Sequence, residues 1–204
     1  MSRLLIITCC AIVAVLVTAS GAGAVPQGQV VLESESKLWI EGTATVNTFT
    51  CSAQTVNGQA EINGADSSQS ARAEARLVVP VRQFDCGKRR MNRDLHNAMA
   101  SSDHPFIRFE LQDARLLEKR DGETFLLEAT GSLEIAGTSR TIKLTVHASE
   151  LPDGRFQAEG HQELTMSEFG IEPPTAMRGL IRAHDTIEVH FNLIARRASQ
   201  AARM

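Results

Sequence analysis

The sequence contains no tyrosine and a single tryptophan in 204 residues. Any anchor for a buried carboxylate that relies on a phenolic hydroxyl is therefore excluded. No charge sign dominates either: 24 acidic residues stand against 21 basic ones, for a net charge of -3. That balance lacks the clustered basic excess of a nucleic-acid binder. Long apolar runs are equally scarce, and the one stretch of interest to a membrane is Leu4–Val17, at the N-terminus. A nucleophile elbow, a Walker loop, a dinucleotide fingerprint and a zincin helix are all missing. There is no internal repeat, no low-complexity tract and no linker. The length suits one well-packed domain.

Arg3, the apolar run Leu4–Val17 and the small residues Ala22-Gly23-Ala24 form the three regions of a secretory signal. Cleavage is expected after Ala24, and the alternative, an uncleaved anchor, has a run short for a bilayer span. Cys9 and Cys10 would leave with residues 1–24, so Cys51 and Cys86 would remain. An even count in an exported chain favours a disulfide over two separate buried thiols. Metal binding has less support, because no second Cys or His stands at ligand spacing from either.

The chain then divides into a short polar lead-in (25–36), a main body (37–196) and a tail (197–204). Period two, the mark of half-buried strands, dominates the body. Phe125, Leu127, Ala129, Gly131, Leu133 and Ile135 share one face. So do Ile142, Leu144, Val146 and Ala148, and likewise Ile187, Val189, Phe191 and Leu193. Further strands are expected over Leu38–Thr45, Val46–Gln54, Ala71–Val81, Pro105–Asp113 and Arg155–Thr165. Asn57-Gly58, Asn63-Gly64, Asp121-Gly122, Ala136-Gly137 and Asp153-Gly154 read as turns. Met91, Leu95, Ala98 and Met99 recur at helical spacing and predict one amphipathic helix over Arg89–Ala100. The pattern predicts an all-β antiparallel meander of about eight strands, closed into a barrel that leaves no exposed edge.

The inward residues, joined by Phe49, Ile107, Phe109 and Phe156, with Trp39 near an end, are uncharged. Such an interior either packs solid or holds one small ligand. With no tyrosine and no inward arginine in these strands, it suits a long uncharged hydrocarbon. The expected lumen lining is Phe49, Ile107, Phe109, Phe125, Leu127, Ala129, Gly131, Leu133, Leu144, Val146, Phe156, Val189 and Phe191. Ala129 and Gly131, small and mid-strand, are expected to leave the gap, unless a facing aromatic fills it. His184 and His190 fall on a polar face with Glu188 and are expected to be solvated; no metal or other cofactor is expected. Lys88-Arg89-Arg90 with Arg93 is the one dense basic patch. A solvated helix face is its ordinary reading, and contact with an anionic head group or a membrane surface is the other.

Four motifs resemble those of one family. Gly131-Ser132-Leu133-Glu134-Ile135-Ala136-Gly137-Thr138-Ser139-Arg140 is similar to the G-x-L-x-I-x-G-x-x-R hairpin of the YceI-like lipid/polyisoprenoid-binding family. Arg93-Asp94-Leu95-His96 resembles its RD-x-H helix, and His104-Pro105-Phe106-Ile107-Arg108-Phe109 its YP-x-I-x-F strand. Ser167-Glu168-Phe169-Gly170-Ile171 resembles its S-D-F-G-I segment. The chain departs from the pattern at His104, at Met166 and at Cys86. The resemblance implies a lipocalin-like, eight-stranded antiparallel barrel with no catalytic residues, exported and holding an isoprenoid or similar amphiphilic lipid such as a quinone or polyprenyl phosphate. The expected location is the periplasm or the exterior, after cleavage near Ala24. Two other functions compete: an envelope or stress-related scaffold with a solid-packed barrel, and an enzyme using Asp94 and His96 as an acid–base pair.

Overall fold

The alternating segments form twelve strands in a computed structural model that describes residues 28–65, 70–119, 124–176 and 180–198. The expected leader, the Asp121-Gly122 turn and residues 199–204 of the tail lie outside these residues. In chain order the strands are β1 (Gly28–Leu32), β2 (Lys37–Ala44), β3 (Thr48–Ala53), β4 (Asn57–Ala65), β5 (Ser70–Pro80) and β6 (Phe84–Asp85). After helix α1 (Arg89–Ala98) come β7 (Phe106–Lys119), β8 (Thr124–Ile135), β9 (Thr138–Glu150), β10 (Phe156–Thr165), β11 (Thr175–Ala176) and β12 (Ile181–Arg197).

Every pairing is antiparallel, and eight strands close on themselves in the order β1-β4-β5-β7-β8-β9-β10-β12, with β12 returning to β1. The barrel predicted from the alternation is thus the one observed. Strand β12 is long enough to take two partners along one side. Its C-terminal end pairs with β1 (Val30↔Arg197) and the rest with β2 (His190↔Trp39). β3 and β6 extend the wall beyond β2 at the end where α1 sits. Closure satisfies the backbone donors and acceptors that an open edge would expose.

The β8–β9 hairpin shows sequence becoming structure most directly. Ala136 (φ 48°) and Gly137 (φ 77°) both occupy the left-handed region between the paired residues Ile135 and Thr138. Two positive φ values in a two-residue loop match the twist of the flanking strands. A Cβ on Gly137 would stand 2.5 Å from the His104 ring. The ring before Pro105 therefore packs on the turn glycine, and two of the quoted motifs are in contact.

Three expectations need correcting. The short polar lead-in holds a strand: its residues Gly28–Leu32 form β1, which closes the barrel. Asn57-Gly58 and Asn63-Gly64 are not turns but lie within β4, where Asn57 and Gly58 pair with Val78 and Leu77. A glycine suits this stretch because a Cβ at 58 would meet Leu77 and Leu32 side chains at 2.6 and 2.8 Å. The strand begun at Pro105 does not stop at Asp113. A bulge between Leu111 and Asp113 resets the alternation, and β7 continues to Lys119 with Ala114 buried. A bulge moves the following side chains to the other face, so a strict period of two breaks there.

Candidate functional site

The cavity of interest is built from the α1 end of the barrel. Inward side chains arrive from β2 (Leu38, Ile40), β3 (Phe49, Cys51), β5 (Leu77, Val79), β7 (Ile107, Phe109), β8 (Leu133, Ile135) and β12 (Ala183, Ile187, Val189). From above, α1 contributes Met91, Leu95 and Ala98, and Met99 follows. The apolar stripe at helical spacing thus faces the lumen. Met166, with Phe169 and Ile171 of the Ser167–Ile171 motif, forms a further wall, and Gly170 between them sits in the left-handed region (φ 71°). The backbone N–H of Ser167 donates to Asp185 Oδ1 at 2.9 Å, fixing this segment to β12.

Together these groups surround about 320 Å³, at the lower end of small-molecule sites. Asn47, Lys88, Arg90, Asp94 and Thr175 alone interrupt an apolar lining. They come from the β2–β3 turn, from α1 and the residue before it, and from β11, so polarity is confined to one mouth. A hydrocarbon fits such a volume, because nothing in its interior needs to be hydrogen-bonded.

The start of α1 has no side-chain cap: Lys88 holds the N-cap position without one. A small polar network holds this segment instead. Asp85 Oδ1 accepts hydrogen bonds from the Gly87 N–H (2.9 Å) and Asn92 Nδ2 (3.0 Å), while Asn92 Oδ1 accepts the Cys86 N–H at 2.7 Å. These bonds, the Asn92 side chain foremost, hold the Asp85 carboxyl below its usual range. Cys86 is disulfide-bonded to Cys51 of β3, as expected, and so ties the helix to the wall covalently.

Of the predicted lining, Phe49, Ile107, Phe109, Leu133 and Val189 border the cavity. Phe125, Leu127, Ala129, Gly131, Leu144, Val146, Phe156 and Phe191 are not among its walls. The space beside Gly131 is occupied: a Cβ there would lie 2.5 Å from the Phe109 ring. Phe191 covers Gly160 and Phe49 covers Gly42 in the same manner. The lining from α1 and from the Ser167–Ile171 segment was absent from the predicted set. Its signal was the unpartnered apolar helix stripe, which needs a surface to cover.

Trp39 does not join the interior. Register sets it opposite His190 on the outer face, where the two rings stack 5.0 Å apart and the indole N–H donates to Glu41. His190 is consequently covered rather than solvated, with 22% of its side chain exposed. His184 accepts or donates to Thr43 Oγ1 at 2.8 Å. Among the described residues no group of three or more His, Cys, Asp or Glu could hold a metal ion. Asp94 faces the mouth and lies 3.6 Å from Arg90, whereas His96 lines a separate polar hollow with Arg82, Arg89 and Arg93. Two residues apart on a helix, they point to different sides and form no acid–base pair.

Solved structures share this architecture. BcnA of Burkholderia cenocepacia superposes with a TM-score of 0.63 at 16% identity, covering 80% of this chain and 98% of its own. A polyisoprenoid-binding domain from Saccharophagus degradans, implicated in plant cell wall breakdown, gives 0.64 at 14%, covering 85% and 100%. The YceI protein of Campylobacter jejuni gives 0.52 at 19%, covering 71% and 85%. At these identities the likeness is one of fold. No curated protein matches the chain. The YceI-like domain profile matches residues 30–195, from the closing strand to the end of the barrel, and the chain belongs to that family.

Proposed function

We propose that this protein is an exported carrier that holds an isoprenoid or similar amphiphilic lipid in the α1 end of its barrel. The cavity carries the reading: about 320 Å³ of apolar space whose polar groups sit only at the mouth. An amphiphile with its chain inside and its head group beside Lys88, Arg90 and Asp94 satisfies both regions. Each buried methylene contributes about 0.8 kcal/mol, so an isoprene unit contributes a few. Several units outweigh the cost of immobilising the chain, and no buried charged anchor is needed. The related Saccharophagus domain, described as polyisoprenoid-binding, supports this ligand class. A quinone and a polyprenyl phosphate both meet the requirement. Export is supported by the signal-like sequence of residues 1–24 and agrees with the disulfide.

Organic extraction of protein purified from its native host, followed by mass spectrometry, tests the proposal. A carrier yields a homologous series of isoprenoid chain lengths. Recovery of no lipid, with the purified protein also failing to take up an added isoprenoid, would return the field to a scaffold.

A further inference from the structure

The rim of the cavity carries features that holding a lipid does not require. The two most exposed large apolar side chains among the described residues are Leu180 (75%) and Val46 (67%). Both lie at this one mouth. The β2–β3 turn around Val46 contributes Ala44 and Asn47 to the lining, and Ile181 follows Leu180 there. The two segments are joined where the Thr45 N–H donates to the Arg182 carbonyl at 3.0 Å. Lys88 and Arg90 border the same mouth, and Arg89 and Arg93 line the polar hollow on the neighbouring flank of α1; all four are exposed. Arg90 is paired with Asp94, and Arg182 lies 3.8 Å from Glu172. Lys88, Arg89 and Arg93 make no ion pair among the described residues, although the chain as a whole is acidic.

These cations also stand at an unfavourable place. The first turn of α1 holds no acidic residue and two arginines, against the positive end of the helix dipole. Lys88 thus stands at the mouth with the two uncovered apolar side chains, and Arg89 and Arg93 extend the positive surface along the neighbouring flank of α1, all three without an internal partner. Phosphate head groups satisfy the first and the acyl boundary of a bilayer accepts the second.

We infer that the α1 rim docks on the surface of an anionic phospholipid bilayer, so that the cavity mouth faces the membrane from which its lipid is drawn. The inference rests on the lipid-carrier reading for its purpose, but docking itself is measured separately.

Vesicle co-sedimentation tests it with the purified chain. Vesicles of equal parts phosphatidylglycerol and phosphatidylcholine should retain the protein, and pure phosphatidylcholine vesicles should retain much less. Binding should fall as salt is raised, since exposed charges are screened. Replacing Lys88, Arg89 and Arg93 by Gln should weaken binding by roughly fivefold per residue, the equivalent of about 1 kcal/mol for each basic side chain near an anionic surface. Val46→Asp with Leu180→Asp should weaken it at least as much. Leu117→Asp, at an exposed apolar position on the opposite end of the barrel, should leave it unchanged. Uptake of farnesol from solution, without vesicles, should persist in the Arg89, Arg93, Val46 and Leu180 variants and shows that each is folded; for the Lys88 variant, which borders the cavity, an unchanged circular dichroism spectrum shows folding. Equal retention by both vesicle types, or equal loss in Leu117→Asp and the rim variants, overturns the docking surface. If the parent docks on anionic vesicles yet takes up no farnesol, docking stands and the lipid-carrier reading fails.

Discussion

The two halves of the barrel are cut from the same alternating strands, yet they are finished differently. At the α1 end most of the inward residues are large (Leu, Ile, Met and Phe), and they surround open space. Farther along the same strands small inward residues stand among large ones, with Ala114 paired to Ala129 and both buried. Small residues did not make the hollow, because strands approach and rings lean over them, as Phe109 does on Gly131. The hollow exists where β6, α1 and the Met166–Ile171 segment join the strands in lining it. The ends are also held differently. A disulfide and the Asp85–Asn92 network secure the α1 end. At the other, Arg155 meets Glu33 and Glu35 at 3.0 Å and Asp153 at 2.7 Å, joining the β9–β10 turn to the β1–β2 connection.

The comparison breaks most sharply at the covalent tether. Cys51 and Cys86 are 35 residues apart, and loop-closure entropy assigns the bond about 4 kcal/mol. Cys51→Ser with Cys86→Ser should therefore lower the melting temperature strongly. Amide exchange should rise first in α1, not in β8 and β9; uniform loss would show that the tether serves the whole barrel equally. Next in size is Phe109→Ala, which uncovers Gly131 and enlarges the cavity. Phe-to-Ala changes in cores cost about 3–5 kcal/mol, and the half-buried Phe109 should fall near 3. Denaturant unfolding measures it, and a cost below ~1 kcal/mol would mean that the ring is not filling the space beside Gly131.

A pair of variants sharpens the division between hollow and filled. Ala183 borders the cavity and Ala129 does not, although both are 6% exposed. Ala183→Phe has room to grow into, so it should fold with little change in stability while reducing extracted lipid several-fold. Ala129→Phe enters packed surroundings and should cost about 1–3 kcal/mol while leaving lipid content unchanged. The reverse pattern would place the ligand in the far half of the lumen.

The same contrast explains what could be read from sequence. Alternation identified the inward face of β8, β9 and β12 because period two depends only on the pleat. The Ala136-Gly137 turn and the α1 stripe were legible for equally local reasons. Strand β1 was not, because Gln29, Val30, Val31 and Leu32 are too few to show a period. β4 was hidden because Asn-Gly reads as a turn until Leu77 and Leu32 are seen to need the glycine. The far half of β7 was hidden by its bulge. For the cavity, sequence gives which side chains face inward but not what faces them across the lumen. That is why the expected lining includes Ala129 and Gly131 and lacks Ile135, Met166 and Phe169.

The smallest effect separates the two ends by pH. The Asp85 carboxylate accepts two hydrogen bonds, from Asn92 and Gly87, and these hold its carboxyl below the ordinary value of 3.8. A group with a lowered folded pKa adds its full stabilisation above the unfolded value and loses it as pH falls through the folded one. The α1 attachment should therefore be complete at neutral pH and weaken below about pH 4. Asp153, held low by the backbone and then the side chain of Arg155, should make the β9–β10 turn respond in the same direction. Asp85→Asn keeps an acceptor but removes the titration. Amide exchange at Cys86 and Gly87, compared between neutral and acid conditions, should accelerate more in the parent than in this variant. Exchange in β9 and β10 should show no such difference between the two proteins. Equal acceleration of the Cys86 and Gly87 amides in both would mean that the Asp85 charge does not fasten the helix, leaving the disulfide to do so alone.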